Sequence, residues 1–188
     1  QLAIVINDDD PNSVAVGAYY RKVRNIPRAN VVHVNIPNRP QRLDAAQFSV
    51  LKKDIDSQLG EGIEAVLMVW TAPYAVECNS ITSAYTMGFD AGQCTRTCDA
   101  GRPNKYFNSA ATQPYTALDM RLSMLLPTET VKQARAVIDR GVAAGFRIVP
   151  ATAYFMVTSE AARKTRVRFY PPPARLASKK IATKVVKS

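Results

Sequence analysis

Ile63-Glu-Ala-Val-Leu-Met-Val-Trp70, running directly into Thr71-Ala72-Pro73-Tyr74, is the most apolar strand-like stretch of the chain. A near-continuous apolar run of this length, bounded by turn residues, reads as a parallel strand buried on both faces. Upstream, Asp44 and Gln47 are spaced as a capping box. Phe48, Leu51, Ile55 and Leu59 then follow helical spacing, and Gly60 closes that helix. Further upstream lie a strand over Asn30–Ile36, a Pro-bounded loop from Pro37 to Pro40, and a first strand over Leu2–Ile6. Between those strands, Asp10-Pro11 starts a helix with Val16, Tyr19, Tyr20 and Val23 on one face, and Asn25-Ile26-Pro27 stops it. Downstream, residues 129–144 carry Val131, Ala134, Ile138 and Val142 on a stripe, with Gly145 beyond. Thr152–Val157 reads as the fourth strand of the sheet, and Glu160–Phe169 as a last helix before Pro171-Pro-Pro173. Strands alternating with helices imply an α/β three-layer sandwich with a mainly parallel sheet and right-handed crossovers. One domain is expected over residues 1–170. A long insertion at about 75–127 follows the third strand, and 171–188 forms a basic segment that starts a missing or separate second half.

At 188 residues, with 47% apolar and 21% charged side chains, the chain suits a folded domain and not a disordered one. No run approaches the roughly 18 apolar residues that a membrane span needs, so none is expected. Gln1 has no Met before it, and a removed signal peptide is the expected reason. Net charge is +10, yet from Glu160 to Ser188 there are nine Lys or Arg against one acid. That asymmetry disfavours a nucleic-acid partner spread over the surface and points to a basic C-terminal docking segment.

Ligands of open α/β sheets gather beyond the carboxyl ends of the strands, and all three cysteines lie just past the third strand. Structural zinc takes four ligands, and Cys78, Cys94 and Cys98 offer three beside a remote histidine. A disulfide is the better expectation: Cys94 with Cys98, or either with Cys78, leaving one thiol over. Around them, Asn79, Ser80, Thr82, Ser83, Tyr85, Tyr106, Phe107 and Asn108 mix aromatics with amides and hydroxyls, as recognition loops do. These eight are the expected binding residues. Removing 75–127 is expected to abolish binding while the sheet still forms. Asp8, Asp9 and Asp10 at the first strand's end are a candidate Ca²⁺ site, without EF-hand spacing. No other cofactor is expected, since no glycine-rich phosphate cradle occurs. His33 is the one histidine and sits mid-strand between valines. No Cys–His or Ser–His–Asp constellation assembles around it, so no catalytic residue is assigned.

Several stretches together resemble one family. They are Asn7 through Pro27, Cys78-Asn-Ser-Ile-Thr-Ser83, Gly88-Phe-Asp90, Tyr106-Phe-Asn-Ser109, Arg121-Leu-Ser-Met124, Ile138-Asp-Arg-Gly141, Thr158-Ser-Glu-Ala-Ala-Arg163 and Arg168-Phe-Tyr170. The family is an uncharacterised one of exported bacterial proteins, found in genomes that carry the exosortase sorting system. Its members are longer than 188 residues, which implies that this chain is an N-terminal portion. The alternation is also similar to caspase-like and gingipain-like α/β domains, implying a caspase-like or flavodoxin-like strand order, although their Cys–His pair has no counterpart here. The expected function is recognition or assembly with another protein through 75–127, without catalysis, in the periplasm, outer envelope or extracellular space. The alternative is the N-terminal part of a caspase-like hydrolase whose catalytic groups lie beyond Ser188.

Overall fold

The first strand, β1 (Leu2–Asn7), is followed by α1 (Pro11–Val23), β2 (Val31–Val34), a two-residue β3 (Arg42–Leu43), α2 (Ala45–Ser57) and β4 (Ala65–Val69). A computed structural model gives this architecture and describes residues 1–96, 102–145, 147, 151–177 and 181–187, with backbone alone at 151, 162 and 163. Beyond β4 come β5 (Ala75–Val76), β6 (Asn79–Ser80), α3 (Ile81–Met87), α4 (Gly92–Thr95), α5 (Pro114–Leu118), β7 (Leu122–Leu125) and α6 (Val131–Ala144). Two compact units result, Gln1–Val142 and Ala143–Ser188.

In the first unit β1, β2, β4 and β7 form one four-stranded sheet in the order β2-β1-β4-β7, with every pairing parallel. This is the flavodoxin-type winding in which the chain first moves one way from β1 and later the other. Alternate side chains divide between two faces, as the period of a strand requires. Ile4, Ile6, Leu67 and Val69 pack with Val16 of α1 and with Ala134 and Ile138 of α6. Ala3, Val5, Val66, Met68 and Trp70 pack with Phe48, Leu51 and Ile55 of α2 and with Ile81 and Ala84 of α3. Helices on both faces make the three-layer α/β sandwich that the apolar runs imply.

Local chemistry sets the helix starts. Asp10 accepts from Asn12 N at 3.0 Å with Pro11 in the first turn. Asp44 accepts from Gln47 N at 2.7 Å while Gln47 Oε1 accepts from Asp44 N at 3.0 Å. Gly17 lets α1 lie against β1, because a Cβ there would stand 2.5 Å from Ile6 Cδ1. The outer edge of β2 is met by a side chain: Gln58 Nε2 donates to His33 O at 3.1 Å, and Gln58 Oε1 accepts from His33 N at 3.4 Å.

One expectation is corrected. The fourth strand of the sheet is β7, four residues inside the stretch read as an insertion, and not Thr152–Val157. Its apolar run is broken by Ser123, whose Oγ donates to Thr82 O at 2.8 Å, so the sequence shows no clear strand. The same stretch supplies Val76, Ile81, Ala84 and Tyr85 to the core beside Val5 and Val66. The Cys-containing insertion expected after the third strand is thus present, and it contributes both a strand and core side chains to the first unit. In the second unit, β8 (Ala151–Val157) pairs in parallel with β9 (Ile181–Lys187) as a separate two-stranded sheet. The expected helix over 160–169 is α7 (Ala161–Lys164) continued by a 3₁₀ turn over Thr165–Phe169, and α8 (Pro173–Ala177) precedes β9.

Candidate functional site

β1 and β4 are neighbours, but the helices that follow them, α1 and α3, lie on opposite faces of the sheet. A crevice opens beyond their carboxyl ends for that reason. Its floor is a buried hydroxyl. Ser13 Oγ accepts from Asn7 N at 2.9 Å and donates to Val69 O, stitching the end of β1 to the end of β4. Asn7 is wholly buried and joins β1 to the loop after β2. Its Oδ1 accepts from Ile36 N at 2.9 Å and its Nδ2 donates to Ile36 O at 3.3 Å. Ser13→Ala leaves Asn7 N and Val69 O without that partner, and a buried unpaired group costs about 1–3 kcal/mol. A loss of that size is expected in urea unfolding of the full chain, and an unchanged midpoint contradicts the bridge.

Above this floor, Asp10, Asn12, Arg39, Gln41, Tyr74 and Thr128 line a cavity of about 480 Å³, with Asn38, Thr71, Ala72 and Glu129 completing it. Asp10 is 3% exposed. Besides capping α1, it lies 3.5 Å from Thr128 Oγ1 and 3.6 Å from the Arg39 guanidinium. Arg39 reaches it from a tight turn between Pro37 and Pro40, where Asn38 and Arg39 both take left-handed backbone (φ 61° and 43°). Thr128 N donates to Thr71 Oγ1 at 2.9 Å, and Asn12 Nδ2 donates to Glu129 O at 3.3 Å. Tyr74 is 43% exposed; its N donates to Gln41 O at 3.1 Å and its hydroxyl lies 3.3 Å from Gln41 Oε1. The lining thus combines the buried carboxylate of Asp10 and the exposed one of Glu129, one exposed guanidinium, three amides, and the hydroxyls of Thr71, Thr128 and Tyr74 with the ring of the last. Such a set orients a polar ligand by hydrogen bonds.

The three aspartates do not share a centre. His33 Nδ1 lies 2.8 Å from Asp8 Oδ1, and Asn35 Nδ2 donates to Asp9 Oδ1 at 3.2 Å, while Asp10 serves α1 and the cavity. Among the described residues no group of three or more His, Cys, Asp or Glu is placed to hold a metal ion. No described helix is long and apolar enough to cross a membrane.

Cys78 and Cys94 form a disulfide with Cα atoms 5.2 Å apart, and Cys98 lies outside the described residues. Cys78 sits in the turn between β5 and β6, and β5 pairs on its other side with β3 at the end of the loop lining the cavity. Asn79 is buried there and closes the loop: its Nδ2 donates to Asp90 O at 3.0 Å and its Oδ1 accepts from Asp90 N at 3.1 Å. Ser80 caps α3 by accepting from Ser83 N at 3.1 Å, and Thr82 and Ser83 are half-buried in its first turn. Tyr85 is an interior residue. Its hydroxyl donates to Asp56 Oδ1 at 2.6 Å, and burial together with that carboxylate pushes the phenol far above its usual range. Arg121 joins the same carboxylate at 3.4 Å and stacks 3.7 Å over the Tyr115 ring. Glu64 accepts from Thr116 Oγ1 at 2.5 Å and from Tyr115 N at 2.7 Å, and these bonds hold its carboxyl below the usual range. Of the second cluster, Tyr106 is half-buried, Asn108 is exposed with φ 56°, and Phe107 is 85% exposed.

Of the expected residues, Ser80, Thr82 and Ser83 share the start of α3, whereas Asn79 and Tyr85 face inward. The cavity residues Arg39, Tyr74 and Thr128 were not singled out. The rule for strand ends pointed to Asn7–Ser13 and Thr71–Tyr74, whereas Arg39 and Thr128 join them only through the parallel register. No family model, curated protein or solved structure matches this chain.

Proposed function

We propose that this chain is an exported, non-catalytic protein of the cell envelope or extracellular space that recognises another protein at the carboxyl rim of its first-unit sheet. The observation that carries the reading is the rim cavity, where amides of Asn12, Asn38 and Gln41 and the exposed ring of Tyr74 surround the Asp10–Arg39 pair. A polypeptide offers alternating N–H and C=O groups, which amide and hydroxyl side chains match, and aromatic and Arg residues are the usual anchors of such contacts. The Cys78–Cys94 loop neighbours that rim, and a surface disulfide suits an oxidising compartment. The resemblance to exported, exosortase-associated proteins supports the same location. Recognition is favoured over turnover because Cys78 and Cys94 hold each other, which leaves neither sulfur as a thiolate nucleophile.

Site-specific photocrosslinking in the producing cell tests the reading. A crosslinker at Tyr74 is expected to yield a defined protein adduct, and one at Val50, 71% exposed on α2, is not. Arg39→Ala should lower the Tyr74 adduct about tenfold, the effect of losing one interface anchor. Equal adducts from both positions, no adduct from Tyr74, or retention of the chain in the cytoplasm overturns the proposal.

A further inference from the structure

Residues 143–188 carry ten Lys or Arg against the single acid Glu160, whereas residues 1–142 carry fifteen against fourteen. The charge surplus belongs to the second unit, and the first has no acidic surplus to offset it. That unit is built on the β8–β9 ribbon. On one ribbon face Thr152, Tyr154 and Met156 stand in register beside Ala182, Lys184 and Val186. Tyr154 is 65% and Met156 57% exposed. The other face is partly filled, since the Tyr170 ring packs 4.8 Å from Phe155 and its hydroxyl donates to Met156 O. At the rim, Arg166 lines a cavity of about 400 Å³ with Met156, Thr158 and Tyr170, and the Arg168 guanidinium lies 4.8 Å over the exposed Phe169 ring. A two-stranded sheet with an open apolar face is marginal in water and gains from a cover.

We infer that this face docks an acidic polypeptide segment, whose apolar side chains cover Tyr154 and Met156 while its carboxylates meet Arg166 and Lys184. The inference rests on the reading that the chain recognises a protein, but it uses a different surface. Charge complementarity names the occupant: Lys184 stands within the apolar face beside Tyr154, Arg166 stands next to Met156, and residues 143–188 carry one acid against ten Lys or Arg. A lipid surface would be met by a long amphipathic helix, and α7 and α8 have four and five residues. A nucleic-acid surface would be mostly polar and cationic with several stacking rings, whereas this face sets Met156, Ala182 and Val186 around one tyrosine, with Thr152 and Lys184 as its polar members.

Fluorescence anisotropy on the full chain tests it, using a synthetic peptide of alternating Glu and Leu. The controls are its Gln–Leu counterpart, duplex DNA of matched charge and phosphatidylglycerol vesicles. The Glu–Leu peptide should bind about tenfold or more tightly than each control, and salt should weaken it. Arg166→Glu with Lys184→Glu should cost about tenfold or more. Tyr154→Ser with Met156→Ser should cost about tenfold without changing the salt dependence. Tyr154→Phe keeps the ring, so it should retain affinity and separate docking from collapse of the ribbon. Absent Glu–Leu binding, equal binding of DNA or vesicles, or indifference to the Tyr154 and Met156 changes overturns the inference. Crosslinking at Tyr74 that survives such a result leaves the rim reading standing, and loss of crosslinking with peptide binding intact strikes the rim reading alone.

Discussion

Excision of residues 75–127 is expected to leave a first unit with no cooperative unfolding transition. The cut removes β7, whose four residues pair with Ala65–Met68, and so exposes one side of β4. It also removes Val76, Ile81, Ala84, Tyr85, Met120 and Leu126, all buried. Each larger apolar side chain contributes about 1.5–3 kcal/mol through burial. Several such losses exceed the roughly 5–15 kcal/mol that holds a domain folded. The excised protein should give a featureless near-ultraviolet dichroism spectrum and collapsed amide dispersion. A sharp thermal transition would show that the stretch is dispensable after all.

Trp70→Ala should cost about 3–5 kcal/mol, the usual range for emptying a large aromatic site in a core. Trp70 is the one tryptophan of the chain and has no solvent exposure. It closes the face on which α2 and α3 pack, and its Nε1 donates to Pro73 O at 2.9 Å. That bond fixes the Thr71–Tyr74 turn that forms one wall of the rim cavity. Trp70→Phe keeps much of the volume and loses the donor, so about 1–2 kcal/mol is expected, from partial cavity and lost hydrogen bond together. Urea unfolding followed by far-ultraviolet dichroism measures both, since the substitution removes the fluorophore. A loss under about 1 kcal/mol for the alanine variant contradicts this packing, as well-filled aromatic sites do not tolerate truncation.

The legible parts of this fold were those in which one strong local pattern acts alone. β1, β2 and β4 are apolar runs, and α1 and α2 begin at side-chain caps that the structure retains. β7 was illegible because its apolar pattern spans only Leu122–Leu125 and contains Ser123, so its place depends on the β4 edge waiting for it. β8 showed the right strand pattern but carried no sign of its partner, because pairing with β9 is set across about thirty residues of sequence separation. The site divides in the same way. A surface cystine could be anticipated from cysteine spacing, yet the pairing of Cys78 with Cys94 and the inward turn of Asn79 are tertiary outcomes. Arg39 comes to Asp10 through a two-residue left-handed turn, and nothing in Asn38-Arg39 itself foretells which carboxylate it meets.

The amide of Gln58, seated on the backbone of His33, has a consequence for how the molecule behaves in a crowd. A free strand margin is a template on which other chains can extend a sheet without limit, the first step toward fibrils. Here a single carboxamide occupies the donor and acceptor that a foreign strand would need at that point, so sheet growth past β2 meets a stopper. The guard on that flank is therefore one glutamine at the end of a helix and not the strand itself.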